Sequence, residues 1–157
     1  MAGKSDFSAE EWTMLRQAPF MASKLVMAAG PSGPVGRKKE IAAANKVIDE
    51  AADAARTPLL RSLGQDLKQT ASFPPPDEDR RSFHDTAVAI LKQVCGLLER
   101  KAGPEEAEEM KQWLNAIARR TAEAAKEGGF LGVGGTLVSD QEQEALDTIK
   151  SALNGAA

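Results

Sequence analysis

An all-α fold of five or six helices is what this sequence predicts, and three observations carry the prediction. Ala, Leu, Glu, Lys and Gln are abundant while β-branched residues are sparse, a balance that favours helix over strand. Apolar residues recur at helical spacing through segments of about 20 residues, punctuated by Gly and Pro. One stretch, Trp12 to Ala29, is apolar nearly all round from Ala18 onward, interrupted only by Ser23 and Lys24. Such a helix is usually central and buried. Arg16, Gln17 and Lys24 fall inside it, so a core helix is expected and a membrane span is not.

The first helix opens at Ser8 with complete start chemistry. Ser8 and Glu11 form the capping box S-x-x-E, and Phe7 with Trp12 can form the hydrophobic staple. Pro19 lies inside the helical pattern, where it removes a donor and crowds the carbonyl of Leu15. The spacing predicts either a bend there or two helices meeting. The segment GPSGPVG, residues 30 to 36, ends this helix, and a second runs from about Arg37 to Arg56. Its apolar stripe is Ile41, Ala44, Val47 or Ile48, and Ala51. Thr57 then reads as an N-cap with Pro58 in the first helical position, opening a short helix to about Gln69.

Three consecutive prolines in SFPPPDED, residues 72 to 79, favour extended geometry and form a connector between the two halves. A fourth helix is expected from about Arg80 to Lys101. Its buried stripe is expected to hold His84, Val88, Leu91, Cys95 and Leu98. Pro104 starts a fifth helix, continuing to about Glu127, with Glu105, Glu106, Glu108 and Glu109 in its opening turns. Acidic groups there complement the helix dipole. Ala-Gly-Pro joins two long helices both at 29 to 31 and at 102 to 104, which suggests two helical hairpins in series. After the glycine-rich but apolar loop 128–138, in which Gly128 and Gly129 can end the fifth helix, Ser139 and Glu142 form a second capping box. The last helix runs through Leu146, Ile149 and Leu153 to Asn154-Gly155. The whole, residues 1–157, reads as one helical domain made of two hairpins and a C-terminal helix.

Net charge is −3, with an isoelectric point of about 5.3. The first 76 residues carry 10 basic and 8 acidic side chains, and the remaining 81 carry 10 and 15. Neither part has the basic excess of a phosphate-backbone reader, so no nucleic-acid partner is expected. A single cysteine excludes an internal disulfide and fits a reducing compartment. The first 12 residues lack an apolar h-region, so the expected localisation is cytoplasmic.

Nucleophile, metal and phosphate chemistries find little support. His84 and Cys95 share a helix face but lie about 16 Å apart along the axis, too far for a dyad. Both are expected to be buried structural residues. Gly132-Val133-Gly134 lacks the Lys of a phosphate loop and the spacing of a dinucleotide fingerprint. No calcium loop or di-iron ligand set is present, so no cofactor is implied. The acidic group at 105–109 reads as helix-start electrostatics and solubility, with a metal site using Glu106 and Glu109 as the alternative. Phe130, Leu131 and Val133 are very apolar for an exposed loop and suit either a core plug or a partner surface. Arg37, Lys38 and Lys39 form the basic cluster, unfavourably placed near a helix start. They suit an acidic partner or ligand, joined by Arg119 and Arg120 if the hairpins bring these together. Otherwise they are a solvated face paired with Glu40 and nearby acids.

GGFLGVGG followed by VSDQEQEALDTIKSAL resembles small uncharacterised bacterial helical proteins whose last helix opens with V-S-x-x-E. LVMAAGPSGPVGRKKEIAAA is similar in layout to the tellurite-resistance TerB-like helical domain. That family binds metal through acidic residues at the turn. Here the turn is Gly30-Pro31-Ser32-Gly33, so the metal function does not follow. The sequence as a whole suggests a non-catalytic cytoplasmic interaction or small binding module. The expected partner is a protein, with a homodimer as one form of the pairing. A metal-dependent stress-response (TerB-like) protein, or an enzyme using carboxylates, is the alternative.

Overall fold

The structure, a computed structural model, describes residues 1–30, 34–70, 80–124 and 138–155. Among the described residues there are six α-helices and no strand: α1 (Ala9–Ala29), α2 (Pro34–Ala54), α3 (Pro58–Thr70), α4 (Arg80–Lys101), α5 (Pro104–Ala124) and α6 (Asp140–Leu153). A short 3₁₀ turn, Lys4–Asp6, precedes them. The fold is all-α, as the sequence predicts. The connector 72–79 and the loop 128–138, apart from Val138, lie outside the described residues.

Local chemistry sets the helix starts. At α1 the Ser8 hydroxyl accepts from Glu11 N–H (3.2 Å) while the Glu11 carboxylate accepts from Ser8 N–H (2.7 Å). The Phe7 and Trp12 rings pack with centroids 6.0 Å apart, closing the staple. Ser139 and Glu142 repeat the box at α6. Pro34, rather than Arg37, begins α2, because proline's fixed φ and missing N–H suit the first helical position. Pro19 does not divide α1, which runs unbroken through it.

Helix α1 touches each of the other five helices, and so does α5. Leu15, Ala18, Ala22 and Val26 on α1 are fully buried, as are Met110, Leu114 and Ile117 on α5. A wholly buried Leu or Ile contributes about 1.5–3 kcal/mol from its removal from water.

Long-range bonds fix how the helices run. Lys101, ending α4, bonds Glu11 at the start of α1 (2.6 Å), while Lys24 lies over the Phe83 ring (5.3 Å to its centroid). The two helices are therefore antiparallel. Ala2 bonds Glu106, and the Ser23 and Thr121 hydroxyls meet at 3.0 Å, so α5 runs parallel to α1. Trp113 Nε1–H donates to the Val47 carbonyl (3.5 Å), and Arg56 and Thr57 bond Glu109, which makes α2 antiparallel to α5. Gly30 abuts Glu142, and the Cys95 thiol donates to the Leu153 carbonyl (2.9 Å), which sets α6 antiparallel to α1. One end of the bundle thus gathers the end of α1, the starts of α2, α4 and α6, and the end of α5. We call it the Gly30 end.

Helix α3 is tied to α1 near the opposite end. Trp12 Nε1–H donates to Asp66 (2.8 Å), with Arg16 and Lys4 beside the same carboxylate at 3.3 and 3.5 Å. The Trp12 hydrogen bond, aided by both cations, outweighs burial and holds the Asp66 carboxyl below the usual range.

Candidate functional site

The basic cluster sits at the Gly30 end. Lys38 and Lys39 are exposed, Arg37 is half-buried, and Val35 beside them is 70% exposed. No carboxylate among the described residues lies within ion-pair distance of the three cations. The pairing with Glu40 expected from the sequence does not occur, because Glu40 is fully buried on the inward face of α2. Arg119 and Arg120 are exposed in the last turns of α5, which end at the Gly30 end too. Arg119 is held by Glu123 (3.0 Å). Phe130, Leu131 and Val133 lie outside the described residues. The flanks of their segment, Ala124 and Val138, both belong to the Gly30 end, and Val138 packs on the core.

Glu142 holds this end together. It is 1% exposed, and its Oε2 accepts from the N–H and the hydroxyl of Ser139 (2.7 Å each). A Cβ placed on Gly30 would lie 2.6 Å from its Oε1 and 3.2 Å from its Cδ. Because the capping box pins that carboxylate, Gly30→Ala should cost about 1–3 kcal/mol, read as a lower urea midpoint with unchanged slope. An unaltered midpoint would mean that Glu142 swings aside freely.

The acidic quartet divides by role. Glu105 and Glu108 are exposed, but Glu106 is 2% and Glu109 7% exposed, so solubility does not account for these two. Both Glu106 oxygens accept from Ala2 N–H (2.9 Å each), and Oε2 also accepts from Gly103 N–H (2.9 Å). Glu109 Oε1 accepts from Arg56 N–H (2.7 Å), and Oε2 accepts from the N–H and the hydroxyl of Thr57. Burial pushes the Glu109 carboxyl up, but these hydrogen bonds outweigh it and leave it below the ordinary carboxylate value. The Thr57 N-cap legible in the sequence is thus locked from outside by α5. All four carboxylate oxygens are engaged in holding backbone. Among the described residues no group of three or more His, Cys, Asp or Glu is placed to hold a metal ion.

His84 is exposed, against the expectation of a buried imidazole, and lies 3.4 Å from Asp85. It falls on the predicted stripe but ahead of Ala87, the first residue of α4 described as buried. Cys95 is buried as expected, and burial pushes its thiol up, the opposite of what a nucleophile needs. Elsewhere, a shallow open groove between α1 and α4 is lined by Glu10, Thr13, Met14, Ile90 and Gln93, without a converging set of chemical groups.

Sequence reasoning missed the burial of the polar side chains Ser23, Lys24 and Glu40. Ser23 and Lys24 were visible as interruptions in an apolar run, yet that pattern alone does not tell a buried hydroxyl or amine from an exposed one. No family model, curated protein or solved structure matches the chain. Among the described residues no helix is long and apolar enough to cross a membrane.

Proposed function

We propose that this chain is a non-catalytic cytoplasmic module that binds a protein partner or small ligand through the Gly30 end. The contact surface would comprise Arg37, Lys38 and Lys39 with the segment carrying Phe130, Leu131 and Val133. The supporting observation is the inward turn of Glu40, which leaves three neighbouring cations and the exposed Val35 without a carboxylate among the described residues. Cations beside an apolar side chain suit an acidic surface with an apolar anchor. The buried polar groups Glu106, Glu109, Glu142 and Cys95 are meanwhile occupied with holding backbone.

The test is capture from lysate with the wild-type chain and two variants, R37E/K38E/K39E and F130A/L131A, identified by mass spectrometry. Each variant should lose the partner while melting within a few degrees of wild type. Retained capture by both would sink the proposal, and global unfolding of F130A/L131A would assign those residues to a core plug.

A metal-dependent reading through Glu106 and Glu109, in the manner of a TerB-like stress protein, finds less support because their oxygens are already engaged. Titration with calcium, manganese or zinc should leave the melting temperature unchanged. A rise that grows with metal concentration would move that reading ahead.

A further inference from the structure

Helices α1 and α4 share an outer face that the packing within the chain does not use. On α4, Ala89, Gln93, Gly96 and Arg100 recur at helical spacing and so lie on one side, as do Glu10, Thr13 and Gln17 on α1. All are exposed except Gly96, which is half-buried. Met14 and Ile90 pack on the core but keep part of their apolar surface in solvent. Two shallow depressions adjoin here, one lined by Glu10, Thr13 and Gln17, the other by Lys92, Gly96 and Arg100. Met14 and Gln93 line both.

Gly96 lies well inside α4, where glycine is less favourable than alanine because it loses more backbone freedom. Among the described residues, a Cβ placed there would meet only the Arg100 guanidinium (3.2 Å to Nη1), the far end of a flexible side chain. Packing within the chain therefore does not demand a glycine, whereas close approach of another backbone would. Charge also divides across the face. Glu10 stands on the α1 side, and Lys92 and Arg100 on the α4 side. None of the three has an opposite charge within ion-pair distance among the described residues.

We propose that this face binds a second copy of the chain about a two-fold axis running along the two helices. Such an axis lays α1 of each copy over α4 of the other and preserves height along the bundle. The register follows from contacts within one chain, where Glu11 bonds Lys101 and Met14 shares a depression with Gln93 and Gly96. Glu10 of one copy then comes within a turn of Arg100 of the other. Thr13 lies over the gap at Gly96, and Gln17 reaches Lys92. The symmetry repeats each contact, so the acidic rim of each copy meets the basic rim of its mate. A two-fold axis across the helices would instead set α4 on α4, with Lys92 and Arg100 facing one another. The lengthwise axis also brings both Gly30 ends to the same end of the dimer, so two basic clusters face one way.

Sedimentation velocity at low ionic strength, from about 1 to 300 μM, should show the wild-type mass rising from one copy toward two. Gly96→Trp fills the depression and should weaken association about tenfold or more. Glu10→Lys and Arg100→Glu should each weaken it about tenfold, because each sets like charges opposite one another twice. Mixed in equal amounts, these two charge variants should pair with each other at near wild-type strength, since every altered charge then faces its opposite. All three variants should melt within a few degrees of the wild-type monomer, because the altered positions face solvent there. A wild-type chain that stays monomeric across the range would overturn the proposal and leave the face to a different partner. So would a dimer indifferent to all three substitutions, or a mixture of the charge variants that associates no better than either alone.

Discussion

Replacing Glu109 with alanine should lower stability by about 3 kcal/mol, because it strands the N–H groups of Arg56 and Thr57 and the Thr57 hydroxyl without their acceptor. For a chain of this length that corresponds to a fall of about 6–12 °C in melting temperature. Little of this comes from the Arg56 guanidinium, whose side chain is 76% exposed and whose ion pair at 3.4 Å is screened by water. The effect should depend on pH. The folded Glu109 carboxyl is held below its ordinary value, so its contribution is complete above that value and fades as pH falls through the folded one. Wild type and variant should therefore draw together only as pH falls below the ordinary carboxylate range and through the lowered folded value. Denaturant unfolding at several pH values would show this, and a gap of under about 1 kcal/mol at pH 7 would mean that water replaces the lost acceptor.

Leu15→Ala should cost about 2–5 kcal/mol, the range for a buried leucine whose cavity collapses only in part. Leu15 is 0% exposed and sits on the helix that every other helix packs against, so neighbours cannot close over the gap without shifting several contacts. A urea midpoint that falls with an unchanged slope is the expected result. A loss below about 1.5 kcal/mol would indicate that α1 tolerates local repacking.

The helix starts were legible because their chemistry is local. Ser8 with Glu11, Thr57 with Pro58, and Ser139 with Glu142 each declare a boundary within a few residues. The central role of α1 was legible for a similar reason, since a helix apolar nearly all round from Ala18 onward has to be surrounded there. The interior carboxylates were not. Glu106 binds Ala2 and Glu109 binds Thr57 across separations of 104 and 52 residues, and no spacing rule within a helix encodes such a pairing. Their spacing puts Glu106 and Glu109 in phase with Met110, Trp113 and Ile117, but it names none of the groups they bind. Glu40 shows the same limit from the other side, for an acid beside three cations reads as their partner until its helix turns it inward. Of the candidate site, Arg37, Lys38 and Lys39 have a place in the fold, while Phe130, Leu131 and Val133 lie outside the described residues.

The central position of α1 has a cost in time during translation. Its last residue is Ala29, whereas α5, with which it shares Ser23–Thr121 and much of the core, begins at Pro104. At about 5–20 residues per second, the ribosome needs about 4–15 s to supply that partner. Throughout that interval the most apolar segment of the chain, interrupted from Ala18 onward only by Ser23 and Lys24, has no permanent neighbour on most of its sides. The nascent protein should therefore depend on a holding chaperone until its second half emerges, and faster synthesis of that half should raise its soluble yield.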